Sequence, residues 1–175
     1  MSARPLIKIC GIATSDALEA CIAARASYVG FNFYAPSPRY AGPATGAELA
    51  RQAEGRISRI GVFVDASDAF LADVVDAVRL DALQLHGNES PERVAAIRRH
   101  FGLPVWKVLS IASREDLARA TAYGTLADFL LLDAKTPKGS LPGGMGLSFD
   151  WNLLSGWQAP LSWGLAGGLS PRNVA

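Results

Sequence analysis

The sequence predicts an α/β fold in which parallel strands alternate with helices, and three observations predict it. Seven short runs rich in Val, Ile, Leu and Phe recur at 6–10, 28–33, 57–64, 82–85, 105–109, 127–132 and 161–165. Continuous apolar runs of this length fit strands buried on both faces, as parallel strands are. Stretches with helical spacing lie between the runs. The interval from run to run is roughly 22–35 residues, which one strand, one helix and two short loops fill.

The helical stretches each show one apolar face. Residues 15–25 carry Ala17, Leu18, Cys21 and Ile22 on it. Residues 69–78 carry Phe70, Leu71, Val74, Val75 and Val78, and residues 91–101 carry Val94, Ile97, Arg98 and Phe101. Ser90 is placed to cap the third of these. Residues 113–123 open on Ser113, with Asp116 three positions on as a near capping box. The longest irregular stretch, 136–148, holds four glycines and two prolines. A loop of that length and composition is expected to cover a site.

Composition narrows the function classes. The chain has 175 residues, 50% of them hydrophobic and 19% charged, and a formal net charge of +1. That favours one domain over 1–175 with ample core. No basic run suggests a nucleic-acid surface or a membrane anchor. The N-terminal Arg4-Pro5 leads straight into the first apolar run, without the features of a signal peptide. No apolar run approaches the roughly 18 residues of a membrane span. The expected protein is soluble and cytoplasmic, and Cys10 and Cys21 are expected as free thiols.

Seven strand–helix units suit either an open doubly wound sheet or a closed barrel. Lys8 and Cys10, Asp65, His86, Lys107 with Ser110, and Asp133 with Lys135 all fall late in their strands or just beyond. In a barrel such ends converge on one mouth, whereas an open sheet spreads them along an edge. The barrel is the favoured reading. By itself Cys10 reads most simply as a buried packing cysteine, and Cys21 on its helix face reads the same way.

The motifs are more specific than the spacing. Lys8-Ile9-Cys10-Gly11 ends the first strand. Gly30-Phe31-Asn32-Phe33-Tyr34 is followed by Ser37-Pro38-Arg39-Tyr40. Then come Gly61-Val62-Phe63-Val64-Asp65, Leu83-Gln84-Leu85-His86-Gly87 and Leu131-Leu132-Asp133. Gly143-Gly144-Met145-Gly146 leads into Phe149-Asp150-Trp151, and Leu165-Ala166-Gly167-Gly168-Leu169 precedes Pro171 and Asn173-Val174. Taken in this order, the segments resemble phosphoribosylanthranilate isomerase of tryptophan biosynthesis, and the resemblance covers essentially the whole chain.

The resemblance implies a TIM (β/α)8-type barrel and an Amadori rearrangement. N-(5′-phosphoribosyl)anthranilate would become 1-(2-carboxyphenylamino)-1-deoxyribulose 5-phosphate. An acid protonates the ribose ring oxygen, the ring opens to a Schiff base, and a base removes the C2′ proton. Two groups in opposite initial protonation states suffice, so no cofactor and no metal are expected. Cys10 matches the family's base and Asp133 its acid. A thiolate is favoured by a nearby cation, and Lys8, two residues away on the same strand face, is placed to be one. Arg39 would hold the anthranilate part, since a guanidinium both pairs with a carboxylate and stacks on a ring.

Asp65 and His86 are further substrate-site candidates, Asp65 as an organiser of the mouth. For His86 a structural role is the nearer competitor. Gly144 and Gly146 belong to the expected covering loop. Ala166, Gly167 and Gly168, with a helix starting near Pro171, would bind the 5′-phosphate through backbone N–H groups. The expected partner is thus a small phosphosugar, with the protein a monomer or homodimer.

Two departures stand out. Met145 occupies a position where the family usually has a small hydroxyl residue. The sequence also ends at Ala175, about one turn into a seventh helix. The eighth strand, its loop and the closing helix are therefore expected to be missing. That would leave strand edges open to association and would leave the chain with little or no activity. Two alternatives remain at this point: another phosphate-binding barrel enzyme of tryptophan or histidine biosynthesis, and a non-catalytic phosphosugar-binding barrel. The Cys10/Asp133 pair argues against a histidine-pathway isomerase, which typically uses two aspartates.

Overall fold

A computed structural model describes residues 5–137 and 146–174. The chain forms two compact units, Met1–Gln84 and Leu85–Ala175. In the first unit the order is β1 (Lys8–Cys10), α1 (Ser15–Ala23), β2 (Tyr28–Asn32), α2 (Gly42–Ala53), β3 (Ser58–Phe63) and α3 (Asp68–Val78). Strand β4 (Ala82–Leu85) runs across the boundary. The second unit continues with α4 (Pro91–Phe101), β5 (Val105–Ile111), α5 (Arg114–Ala118), β6 (Phe129–Ala134) and β7 (Trp163–Leu165). Two 3-10 segments complete it, Arg119–Tyr123 and Trp151–Leu154. The fold is parallel α/β, as the alternation of apolar runs and amphipathic stretches predicts.

Register puts the motif residues side by side. In the first unit β1 pairs with β2 in parallel, Lys8 opposite Tyr28 and Cys10 opposite Gly30. Strand β2 pairs with β3, Gly30 opposite Ile60. In the second unit β5 pairs with β6, Ser110 opposite Asp133, and β6 pairs with β7, Leu132 opposite Leu165.

The helices start where the side chains allow it. Thr14, Ser67, Ser90 and Ser113 each accept the N–H three residues on, at α1, α3, α4 and α5. Helix α4 has Pro91 in its first turn and Gly102 in the left-handed conformation at its end. Helix α2 has no side-chain cap and opens on Gly42-Pro43.

The expected helix over 113–123 is corrected: α5 ends at Ala118 and the chain tightens into a 3-10 segment. Leu117, Ala120 and Tyr123 are all buried and recur every three residues. Three residues per turn stacks them on one face, which 3.6 would not. The helix expected near Pro171 is a turn among the described residues. There Asn173 accepts from the Ser170 N–H at 2.7 Å and donates to the Gly168 carbonyl at 2.9 Å.

Burial separates the layers within each unit. In the first, Leu18, Val29, Phe31, Leu49, Ile60, Phe63, Leu71 and Val74 are buried. Phe33 stacks on Phe63 with centroids 5.4 Å apart. In the second, Val94, Ile97, Val105, Val108, Ile111, Leu130 and Leu132 form the core.

A repeated clasp joins the start of each even strand to the odd strand before it. The Ser27 N–H donates to the Ile7 carbonyl at 2.8 Å, and the Ile7 N–H returns to Ser27 Oγ at 3.2 Å. Asp81 clasps Arg59 in the same way, at 2.8 and 2.7 Å. Asp128 clasps Val105 at 2.8 Å both ways. The two aspartates each also hold an arginine, Arg59 and Arg98. Among the described residues no helix is long and apolar enough to cross a membrane.

Candidate active site

In the first unit three motif side chains gather at the end of β1. Gly30 lies beneath two of them. A Cβ on Gly30 would fall 2.7 Å from Lys8 Nζ and 3.1 Å from Cys10 Sγ, so the ammonium and the sulfur crowd one point above β2. Residues i and i+2 of a strand share a face, which is why Lys8 and Cys10 point the same way. The third is Arg39, whose side chain lies across Gly11. A Cβ on Gly11 would meet Arg39 Cδ at 2.6 Å.

The loop after β2 brings Arg39 there. Ser37 Oγ accepts from the Arg39 N–H at 3.2 Å and from Asn32 Nδ2 at 3.0 Å, while Asn32 Oδ1 accepts from the Tyr34 N–H at 3.0 Å. Cys10 is exposed and available to a ligand, whereas Cys21 is buried, and burial pushes its thiol up. Packing is therefore the right reading for Cys21 and not for Cys10. Asp65 is exposed just past β3, with φ of 47°. Aspartate is among the few non-glycine residue types enriched in that left-handed conformation.

In the second unit Asp133 closes β6. Its side chain is 9% exposed. Oδ1 accepts from the Ala134 N–H at 2.8 Å, and Oδ2 lies 3.3 Å from His86 Nε2. His86 therefore meets the candidate acid directly, an electrostatic contact whose strength depends on the imidazole's protonation. The segment Ala166-Gly167-Gly168 runs beside this carboxyl, and the Ala166 N–H donates to the Leu132 carbonyl at 2.7 Å. A Cβ on Gly167 would fall 2.7 Å from Asp133 Oδ1, and one on Gly168 2.8 Å from Ser148 Cβ. Gly146 stands in open space, and Gly144 lies outside the described residues, as does Met145.

Sequence reasoning set Lys107 late in its strand and missed its partner Glu89 and the ion-pairing role of Asp116; β5 runs on to Ile111, which leaves Lys107 inside the strand. Lys107, in the middle of β5, is buried and reaches Glu89 Oε2 at 2.7 Å, each side chain 2% exposed. The missed signal was a lysine inside Val105-Trp106-Lys107-Val108-Leu109. A cation buried in an apolar strand requires a partner anion. Asp116, read only as a near cap, accepts from the Lys135 ammonium at 3.1 Å and from the Ala112 N–H at 2.9 Å. Burial pushes the Asp116 carboxyl up, and those donors outweigh it and hold the group below the usual carboxylate range.

Residues 7–175 match the family model of N-(5'phosphoribosyl)anthranilate (PRA) isomerase. The chain belongs to that family. The N-(5'-phosphoribosyl)anthranilate isomerase of Paramagnetospirillum magneticum is 54% identical over 97% of this chain and 79% of its own length. The enzyme of the same name from Rhodospirillum rubrum is 52% identical over 97% and 80%. Among solved structures, the phosphoribosyl anthranilate isomerase of Thermotoga maritima superposes with a TM-score of 0.83 at 33% identity, covering 98% of this chain and 80% of that one. A phosphoribosyl anthranilate isomerase in complex with reduced 1-(o-carboxyphenylamino)-1-deoxyribulose 5-phosphate superposes with a TM-score of 0.80 at 30% identity, covering 98% and 79%. These relatives favour the isomerase reading over both alternatives that the sequence left open.

Proposed function

We propose that this chain converts N-(5′-phosphoribosyl)anthranilate to 1-(2-carboxyphenylamino)-1-deoxyribulose 5-phosphate, with Asp133 as acid and Cys10 as base. Asp133 gives its proton to the ribose ring oxygen, the C1′–O bond breaks, and the anthranilate nitrogen supplies the electrons of the Schiff base. Cys10 thiolate then takes the C2′ proton. The electrons of that C–H bond neutralise the iminium and leave an enolamine, which tautomerises to the ketone. Lys8 supplies positive charge beside the thiolate. Arg39 pairs with and stacks on the anthranilate. The backbone of Ala166, Gly167 and Gly168 meets the 5′-phosphate. Asp65, His86, Gly144 and Gly146 border the substrate.

The observation that carries this reading is where the polar residues fall. Lys8, Cys10 and Arg39 gather at the C-terminal end of β1, and Asp133 with His86 at that of β6. Barrel enzymes build their sites at these ends of their strands. A single TIM-type barrel domain, in the cytoplasm and without cofactor or metal, fits that reading. The solved relatives include monomers generated from a dimeric enzyme of Thermotoga maritima. A monomer or homodimer is accordingly expected of this chain.

The test is two separate substitutions, Cys10→Ser and Asp133→Asn. Each should lower kcat by about 10²–10⁴-fold, the range of a lost acid or base, and leave phosphosugar binding in place. Turnover by either variant close to that of the parent refutes the assignment of that residue.

A further inference from the structure

We propose that the buried Lys107–Glu89 pair is a positioning device that fixes the direction of His86 toward Asp133. Resting on the isomerase reading, it adds two positioning residues to the acid side of that site.

The hydrogen bonds around His86 argue for it. Lys107 Nζ donates to the Leu85 carbonyl at 3.4 Å and to the Gly87 carbonyl at 2.7 Å. The Glu89 carboxylate accepts from the Gly87 N–H at 3.0 and 3.2 Å. The Leu85 carbonyl belongs to the peptide plane before His86, and the Gly87 N–H to the plane after it. Two planes pinned on either side of one Cα set that residue's φ and ψ, hence the direction of its Cβ. Glu89 is held in turn, since buried Tyr123 donates its hydroxyl to the Glu89 carbonyl at 3.0 Å. At the far end of the side chain so directed, His86 Nε2 stands 3.3 Å from Asp133 Oδ2.

Stability alone is a poor account of this pair. Bringing two ions into a strand core carries a heavy desolvation penalty, and well-packed apolar residues of similar volume are often neutral or better there. A methionine at 107 and a leucine at 89 would fill the space. They would leave the Leu85 carbonyl without the ammonium and the Gly87 N–H without the carboxylate, so the His86 backbone would lose its anchors.

The experiment compares four variants of the full chain with the parent: Glu89→Gln, the apolar double substitution Lys107→Met with Glu89→Leu, and His86→Ala with and without that double substitution. The apolar double variant should match or exceed the parent in urea resistance while kcat falls about 10- to 100-fold and KM stays within about twofold, the size of a catalytic group displaced by an ångström. In the His86→Ala background the same double substitution should change kcat no further, because the two act through one side chain. Full kcat in the folded double variant, or losses that multiply with that of His86→Ala, overturns the proposal. Should the double variant fail to fold, Glu89→Gln is read in the same cycle.

A second readout needs no turnover. In the parent, Asp133→Asn should shift the imidazole resonances of His86. In Glu89→Gln or the double variant it should not. An unchanged shift in those variants overturns the proposal even if the chain proves inactive. An inactive parent with the shift intact counts against turnover by this chain and leaves the positioning role standing.

Discussion

Replacing Gly167 by alanine separates two costs that the structure assigns to one atom. The residue has φ of 79°, a left-handed conformation that costs an L side chain roughly 1–2 kcal/mol. The new Cβ would also lie 2.7 Å from the Ala134 nitrogen, 2.7 Å from Asp133 Oδ1 and 2.9 Å from the Leu147 carbonyl oxygen. Two of the three are backbone atoms, which yield less easily than a side-chain tip. Overpacking of this kind adds roughly 1–3 kcal/mol. Gly55 isolates the first cost: its φ is 70° and nothing lies within 4 Å of its Cβ position. Gly55→Ala should therefore lose about 1–2 kcal/mol and Gly167→Ala about 2–5 kcal/mol, read from urea unfolding midpoints. Only Gly167→Ala should also lower kcat, because the atom that moves most readily is the Asp133 carboxylate oxygen. Equal destabilisation of the two variants, with kcat of Gly167→Ala near the parent's, would refute the reasoning.

Three further outcomes are expected. Iodoacetamide at neutral pH should modify the exposed Cys10 and spare Cys21, whose thiol is buried and pushed up; mass spectrometry finding the label on Cys21 in the folded protein contradicts this. Burial pushes the Asp81 carboxyl up, and the Arg59 guanidinium and N–H outweigh it, holding the group below the usual carboxylate range. A depressed folded value contributes stability above the unfolded carboxylate's pKa and loses it as pH falls through the folded one. Asp81→Asn should thus cost stability near neutrality and progressively less in acid, modestly because the pair is partly solvated; a cost that grows on acidification contradicts the sign. Asp128 holds both Arg98 and the Val105 N–H, so Asp128→Ala should destabilise by about 1–3 kcal/mol, the penalty of unsatisfied partners, as measured by urea unfolding.

The strands were legible because a parallel strand buried on both faces must be mostly apolar, and 28–33, 82–85 and 127–132 are, each broken by one polar residue, Asn32, Gln84 and Asp128. Helix α2 was not. It opens on Gly42-Pro43 and buries Gly46, Leu49, Ala50 and Ala53, a face of mostly small residues that hydropathy hardly registers. Gly46 lies against Phe33, whose ring would meet a Cβ there at 2.7 Å, so smallness serves packing that the local sequence does not display. The companionship of Lys8 and Cys10 followed from strand periodicity, whereas Gly30 beneath them is a fact of register between strands. The His86–Asp133 contact was hidden for the same reason: 47 positions separate the two in the chain, and nothing local couples them. The Lys107–Glu89 pair could have been half inferred, from the lysine alone.

The clasps at Ser27, Asp81 and Asp128 span only 20, 22 and 23 positions. Closing so short a span sacrifices little chain entropy. Each couplet of neighbouring strands can accordingly latch as soon as its second member has left the ribosome, without waiting for distant segments to be made. A polar side chain at the base of every second strand thus gives each couplet a local closure of its own, independent of the couplets that follow.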